Sequence, residues 1–372
     1  MDERQVLMGL TMLQGVGRRT VNRLLASGIN LYELFEFGEK QWAGIGLTAE
    51  LARQAAALFT KEWVTQQWLK IQETGIGVIT YLDDDYPILM KETSDPAWVL
   101  YFLGDRSLLD TMSIAMVGTR VPTAYGRKMA EMLAEGLCAY GYTIVSGMAR
   151  GIDSICHEAA LRCGGSTMAV LGTAIDVAYP PENTSLYKEI IRKGLVISEY
   201  PPGTKSHSGL FPQRNRIIAG LTWGTLVVEA DIRSGSLITA DAALEENRDV
   251  FAVPGPVTSP KSRGTLNLIK QGAKLVTEAS DIEEEYSMWL AAIGADSSQS
   301  AAAGAGDAGG SLRQEYTSDE ERMIVLLEQG TLTVDELLTA TGWDFGLLHS
   351  VLLSLIIKKR VAQLAGLKYE LI

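Results

Sequence analysis

The chemistry open to this sequence rests on arginines set just behind glycines. Gly118, Thr119 and Arg120 follow the apolar run Ser113–Val117, and Gly147, Met148, Ala149 and Arg150 follow a second run that ends at Ser146. Glycine at the carboxyl end of a strand lets the backbone approach an anion. The helix that follows offers the positive end of its dipole, and an arginine grips the anion's oxygens bidentately. Either turn alone also reads as a tight turn with a surface arginine; two at one sheet edge make paired anion cradles. A third cluster, Phe211, Pro212, Gln213, Arg214, Asn215 and Arg216, sets a ring and two guanidiniums ahead of Ile217 and Ile218. Phosphate clamping plus ring stacking is what a single-stranded nucleic acid requires. The alternative for this cluster is a helix start whose arginines pair with carboxylates such as Glu229. Asp153 fits a first-turn acid facing its helix dipole better than a catalytic group.

These groups need a frame that brings them together. From Met112 onward, apolar runs alternate with amphipathic segments, which predicts an α/β fold: a Rossmann-like, doubly wound, mostly parallel sheet covered on both faces. The expected strands are 113–117, 143–146, 167–171, 195–197, 225–228 and 250–253, and the expected helices are 125–140, 153–163, 185–193, 237–246 and 265–271. Adjacent parallel strands deliver their following loops to one edge, the ligand edge of open α/β sheets. The small residues Ser234, Gly235 and Ser236, ahead of Leu237, fit close packing at that edge.

Around this domain, placed at 73–290, the pattern changes. Residues 1–72 read as short helices with two glycine hairpins, Gly15-Val16-Gly17 and Gly44-Ile45-Gly46, a small domain of the SAM or helix-hairpin-helix kind. Such a turn can present backbone N–H groups to a phosphate, or simply let helices cross closely. Only the first is followed by cations, Arg18 and Arg19. Residues 291–316 contain SSQSAAAGAGDAGGS, a flexible linker by composition. Residues 317–372 read as helix, helix, helix and two short strands, a winged helix, with Thr333 and Glu336 spaced for a capping box. That last segment holds 5 basic and 8 acidic side chains, and its would-be recognition helix lacks the Arg, Lys, Asn or Gln of a major-groove reader. A protein-contact or regulatory role suits it better.

Composition bounds the reading. At 372 residues the chain is long enough for two to four domains, and 47% hydrophobic residues with 21% charged describe a globular protein. The net charge of -12 argues against coating nucleic acid over the whole surface. Charge is uneven, however: residues 112–275 hold 17 Lys and Arg against 14 Asp and Glu, and the rest of the chain holds 16 against 31. A locally basic site belongs in the middle segment. Cys138, Cys156 and Cys163 form neither a disulfide framework nor a zinc-spaced cluster, so no metal is expected. The acidic opening MDERQ and the lack of eighteen uninterrupted apolar residues lead to the expectation of a cytoplasmic chain with no membrane partner.

The motifs VGTR, SGMARGID, FPQRNRIIAG, LVVEA, SGSLITA and VFAVPG, in this order, resemble the DNA-processing protein A family, also called DprA or Smf, over almost the whole chain. The resemblance implies a non-enzymatic, cofactor-free homodimer that binds single-stranded DNA and loads the RecA recombinase during natural transformation. It implies that Arg120 is the phosphate-binding arginine, with Gly118, Ser146 and Gly147 as its backbone pocket. It also implies that Phe211 contacts a base beside Arg214, Asn215 and Arg216. Family members often carry a lysine three residues before that phenylalanine. Ser208 stands there in this chain, and Lys205 on the same loop is the candidate replacement, with Arg150 as a further cation. A competing resemblance, carried by GTLVVEA, is to the lysine-decarboxylase-like or LOG superfamily of nucleoside-monophosphate-cleaving enzymes. It would need Glu229 and either Arg120 or Arg150 in the site, and the glycines before Gly224 in that superfamily's PGGxGTxxE loop are replaced by Leu221, Thr222 and Trp223 here.

Overall fold

The computed structural model describes residues 1–287, 318–327, 331–343, 348, 351, 352, 355, 360–364 and 368–371, in two units, Met1–Ala295 and Asp296–Ile372. The first unit opens with helices that start on local capping. In α1 (Glu3–Met12), Asp2 accepts from the Gln5 N–H while the Gln5 side chain accepts from the Asp2 N–H, a reciprocal capping box. Then follow α2 (Arg18–Ala26), α3 (Glu39–Gly44), α4 (Ala49–Leu58) and α5 (Lys61–Glu73), of which α4 and α5 are capped by Thr48 and Thr60. Arg23 of α2 reaches the second glycine hairpin, its Nη2 donating to the Ile45 carbonyl at 2.9 Å. The side chain of Arg18 is directed at Asp95, 2.8 Å away, while Arg19 stays exposed.

A nine-stranded sheet follows, in the order β1 (Gly77–Thr80), β2 (Val99–Gly104), β6 (Leu195–Ser198), β5 (Thr167–Leu171), β4 (Thr143–Ser146), β3 (Ser113–Val117), β7 (Gly224–Val227), β8 (Asp249–Ala252), β9 (Lys274–Leu275). From β6 to β9 every pairing is parallel; β1 and β2 add an antiparallel edge. The Rossmann-like, doubly wound frame therefore stands, and its six anticipated strands lie within a residue of their expected bounds. The antiparallel edge was not anticipated. β1 opens and β2 closes on glycine, which weakens a strand signal in short segments.

The helices of this unit are α6 (Ile88–Lys91), α7 (Ala124–Ala139), α8 (Ile152–Arg162), α9 (Thr184–Lys193), α10 (Leu210–Gly220), α11 (Ser236–Glu245), α12 (Arg263–Lys270) and α13 over residues 280–287. The period of two along β3 divides the core into two layers. Ile114 and Met116 pack with Ala130 and Leu133 of α7 and Ile152 of α8, whereas Ala115 and Val117 pack with Ile217 and Ile218 of α10 and Ala240 of α11. The core of the helical N-terminal segment is continuous with Val99, Tyr101 and Val196 of the sheet. Apolar burial, worth about 25 cal/mol per Å², thus docks the small helices onto the sheet.

In the second unit, α14 (Ser318–Leu327) and α15 (Val334–Thr341) accompany a three-stranded antiparallel sheet, β10 (Leu332–Thr333), β12 (Lys368–Leu371), β11 (Val361–Leu364). The Thr333–Glu336 capping box is present. The linker read at 291–316 and most of the third helix read before β11 lie outside the described residues. Among the described residues no helix is long and apolar enough to cross a membrane, and no cluster of His, Cys, Asp or Glu could hold a metal ion.

Candidate nucleic-acid interface

Strand order reverses between β3 and β7, and outside the carboxyl ends at this switch point lies a cleft of about 570 Å³. The loop after β3 contributes Gly118 and Arg120, and the loop after β4 contributes Ala149. The start of α10 brings Phe211, Pro212, Arg214 and Asn215, and the start of α11 brings Ser234, Gly235 and Ser236. A narrow recess continues from it, where Arg120, Phe211 and Arg214 meet Gly147, Arg150, Gly172 and Tyr179. Arg120 is exposed and, among the described residues, has no ion-pair or hydrogen-bond partner. Its guanidinium is available to an anion.

The floor is built on Arg214, which is 5% exposed. Its Nη1 donates to the Gly147 carbonyl at 2.7 Å and also to the Val170 carbonyl, joining the ends of β4 and β5. Burial pushes its pKa down to about 10; Asp153 opposes that shift and Arg120 adds to it. Asp153, buried at the start of α8, accepts from the N–H groups of Gly147 at 3.2 Å and Ala149 at 3.3 Å, and burial raises its pKa. These bonds fix the 147–150 turn from beneath. Gly151, at φ +80°, brings that turn against the first one. A Cβ there would lie 2.4 Å from the Thr119 carbonyl oxygen, a contact no side chain could hold.

The sequence-derived residues divide accordingly. Gly118, Arg120, Phe211, Arg214 and Asn215 line the cleft, and Gly147 and Arg150 line the recess. Arg150 is ion-paired with Glu182, which raises its pKa. The Ser146 hydroxyl donates to the Met116 carbonyl at 2.6 Å, and the Gly147 N–H is held by Asp153, so neither offers a free donor. Thr119 serves as a backbone bridge: its N–H donates to Glu229 and its carbonyl accepts from Ile152. Ser208 lines the cleft; Lys205 is exposed on the same loop, outside the lining. Arg216 points elsewhere, onto Glu199 and the Asp95 carbonyl at 2.8 Å.

Glu229 does not face the cleft. It is 3% exposed, and its two carboxylate oxygens accept from the Thr123 N–H at 2.8 Å and the Thr123 hydroxyl at 2.6 Å, at the start of α7. A carboxylate spent in this way can neither pair with the α10 arginines nor serve as the hydrolytic glutamate of the competing resemblance. Sequence reasoning missed Tyr179, which lines both cleft and recess and stands 5.0 Å from Phe211 between ring centroids. The available signal was an aromatic ahead of two prolines at the third βα junction, on the same sheet edge as the first two.

A mostly parallel sheet with a cleft at its switch point defines a Rossmann-like α/β protein. The chain belongs to the DNA recombination-mediator protein A family, whose model matches residues 77–287. It is 36% identical over 329 residues to protein Smf of Synechocystis, which covers 80% of this chain and 81% of that one. It is 44% identical over 215 residues to DNA processing protein DprA of Bacillus subtilis, covering 58% of this chain and 72% of the other. The crystal structure of DNA processing protein A from Streptococcus pneumoniae superposes with a TM-score of 0.67 at 37% identity, covering 76% of this chain and 97% of that one. A structure of the Helicobacter pylori protein, described as giving insight into its single-stranded DNA binding mode, has a TM-score of 0.52 at 31% identity and covers 56% and 94%.

Proposed function

We propose that the chain binds single-stranded DNA in a sequence-tolerant way, with phosphates held at the carboxyl edge of the sheet by Arg120 and bases resting on the aromatic residues beside it. The observation that carries this is the unpaired Arg120 guanidinium at the mouth of a cleft whose other wall is aromatic. Gly118, Thr119, Ser146, Gly147 and Arg214 shape that cleft. Asn215 and Arg150 border it, and Lys205 reaches a departing strand from its loop. Arg216 acts from behind α10. The single-strand binding described for the Helicobacter pylori relative supports the ligand class. Membership of a recombination-mediator family supports delivery of the bound strand to a RecA-type recombinase by a homodimer without catalysis of its own.

Titration of labelled single- and double-stranded oligonucleotides at two salt concentrations tests the binding. A single-strand preference that salt weakens and Arg120→Ala abolishes is the expected result. Equal binding by the variant would misplace the site. Sedimentation at micromolar concentration tests the homodimer, and strand exchange by RecA on protein-coated DNA tests delivery.

A further inference from the structure

The Phe211 ring is enclosed from two sides. Gly172 backs it, so closely that a Cβ on that glycine would lie 2.7 Å from the ring's Cδ1, and Tyr179 leans on it at 5.0 Å with a 40° tilt between planes. Phe211 is accordingly half-buried and less exposed than Tyr179, which is 46% exposed although it lines both the cleft and the recess. An exposed ring at a site lined by Arg120 and Arg150 places accessible π surface beside two cations. Stacking on such a face tolerates any base, because every base presents a π surface. We infer that Tyr179 is a further base-stacking residue of this interface, beside Phe211. The ligand is a nucleobase of a single strand, taken irrespective of its identity.

This inference rests on the single-strand reading above and fails separately from it. The experiment compares an oligothymidine with an abasic strand of equal length, against the full chain and its Tyr179→Ala, Tyr179→Phe and Arg120→Ala variants. Loss of one stacked base is worth about tenfold in affinity. Tyr179→Ala should therefore weaken the base-bearing strand by about tenfold and leave the abasic strand within about twofold, while Tyr179→Phe restores wild-type binding. Tyr179→Trp adds an optical readout: its fluorescence should be quenched by the oligothymidine and not by the abasic strand. Equal losses on both strands for Tyr179→Ala, or unquenched Trp fluorescence with oligothymidine bound, would overturn the inference. If Arg120→Ala binds both strands as wild type does, the underlying reading falls instead.

Discussion

Arg214 and Gly147 hold each other in place: the guanidinium donates to the glycine carbonyl at 2.7 Å, and a side chain at position 147 would have to occupy the guanidinium's own space, 2.4 Å from Nη2. An arginine that reads as a phosphate ligand in the sequence thus spends its donors on strand ends. The RNR segment divides its labour around α10: Arg214 builds the floor, Asn215 lines the cleft and Arg216 anchors the helix from the far side. Among the described residues, only Arg120 presents an unpartnered guanidinium to the cleft.

The two arginines should separate under substitution. Arg214→Met removes a buried cation from beside Asp153 and leaves the Gly147 and Val170 carbonyls short of a donor, which costs about 3 kcal/mol of unfolding free energy. Arg120→Ala, at an exposed and unpaired position, should change stability by less than about 0.5 kcal/mol while weakening DNA binding. Urea unfolding read by circular dichroism, alongside binding, decides this. Equal destabilisation by both would contradict the division of roles.

Salt dependence counts the phosphates. For single strands the slope of log K against log salt is about 0.7 per phosphate neutralised. Arg120→Ala should lower that slope by about one such step, and Arg216→Ala should leave it unchanged, since Arg216 is paired with Glu199 behind the helix. Titrations at four salt concentrations would reveal an unchanged slope for Arg120→Ala, which would place the contact elsewhere.

The parallel sheet was legible because each strand from β3 to β8 is an apolar run closed by a polar or glycine-rich turn, and because helical periodicity fills the gaps. Gly118 and Arg120 were legible as cleft-lining candidates because residues directly after a parallel strand fall at the carboxyl edge of the sheet. What the sequence could not disclose is which partner a polar group selects. Glu229 stands next to the strand Gly224–Val227 and reads as a site residue. Its selection of Thr123 depends on β3 and β7 being neighbours, a long-range pairing no local pattern encodes. Arg214 and Arg216 are two residues apart on a helix, so about 200° separates their side chains. Either could face the cleft until the helix's rotation is known. Tyr179 lies in a loop with no period at all.

Acid should expose the cost of a buried histidine. His157 on α8 is fully buried, with Nδ1 2.6 Å from the Thr167 hydroxyl, and burial foremost pulls its pKa down from 6.5 to about 3. A base whose folded pKa is depressed contributes stability above its unfolded pKa and loses it as pH falls from 6.5 toward 3. Between pH 8 and pH 5 that loss amounts to about 2 kcal/mol. His157→Gln should remove this component, so the stability difference between wild type and variant should shrink on acidification. Parallel stability profiles for the two would show that the imidazole titrates normally.

Asp95 sits between two arginines from different parts of the chain, Arg18 at 2.8 Å and the Nε of Arg216 at 3.9 Å, with Glu199 closing the group on the Arg216 side. Burial lowers the pKa of Arg18, and the nearby Arg216 lowers it further, so the two cations repel across the carboxylate that separates them. Asp95→Asn keeps the shape and removes the charge that reconciles them. Arg18 opens α2 and Arg216 belongs to α10, so the repulsion acts across the junction between the helical segment and the cleft helix. Because the group is partly exposed, the expected destabilisation is about 1 kcal/mol at low ionic strength, fading by 1 M salt as screening shortens to about 3 Å. Arg18→Gln in the Asp95→Asn background should recover most of it, since it removes one of the opposed cations. Failure of the second substitution to recover stability, with both variants folded, would mean that Asp95 holds the junction through hydrogen bonding and that charge plays no part.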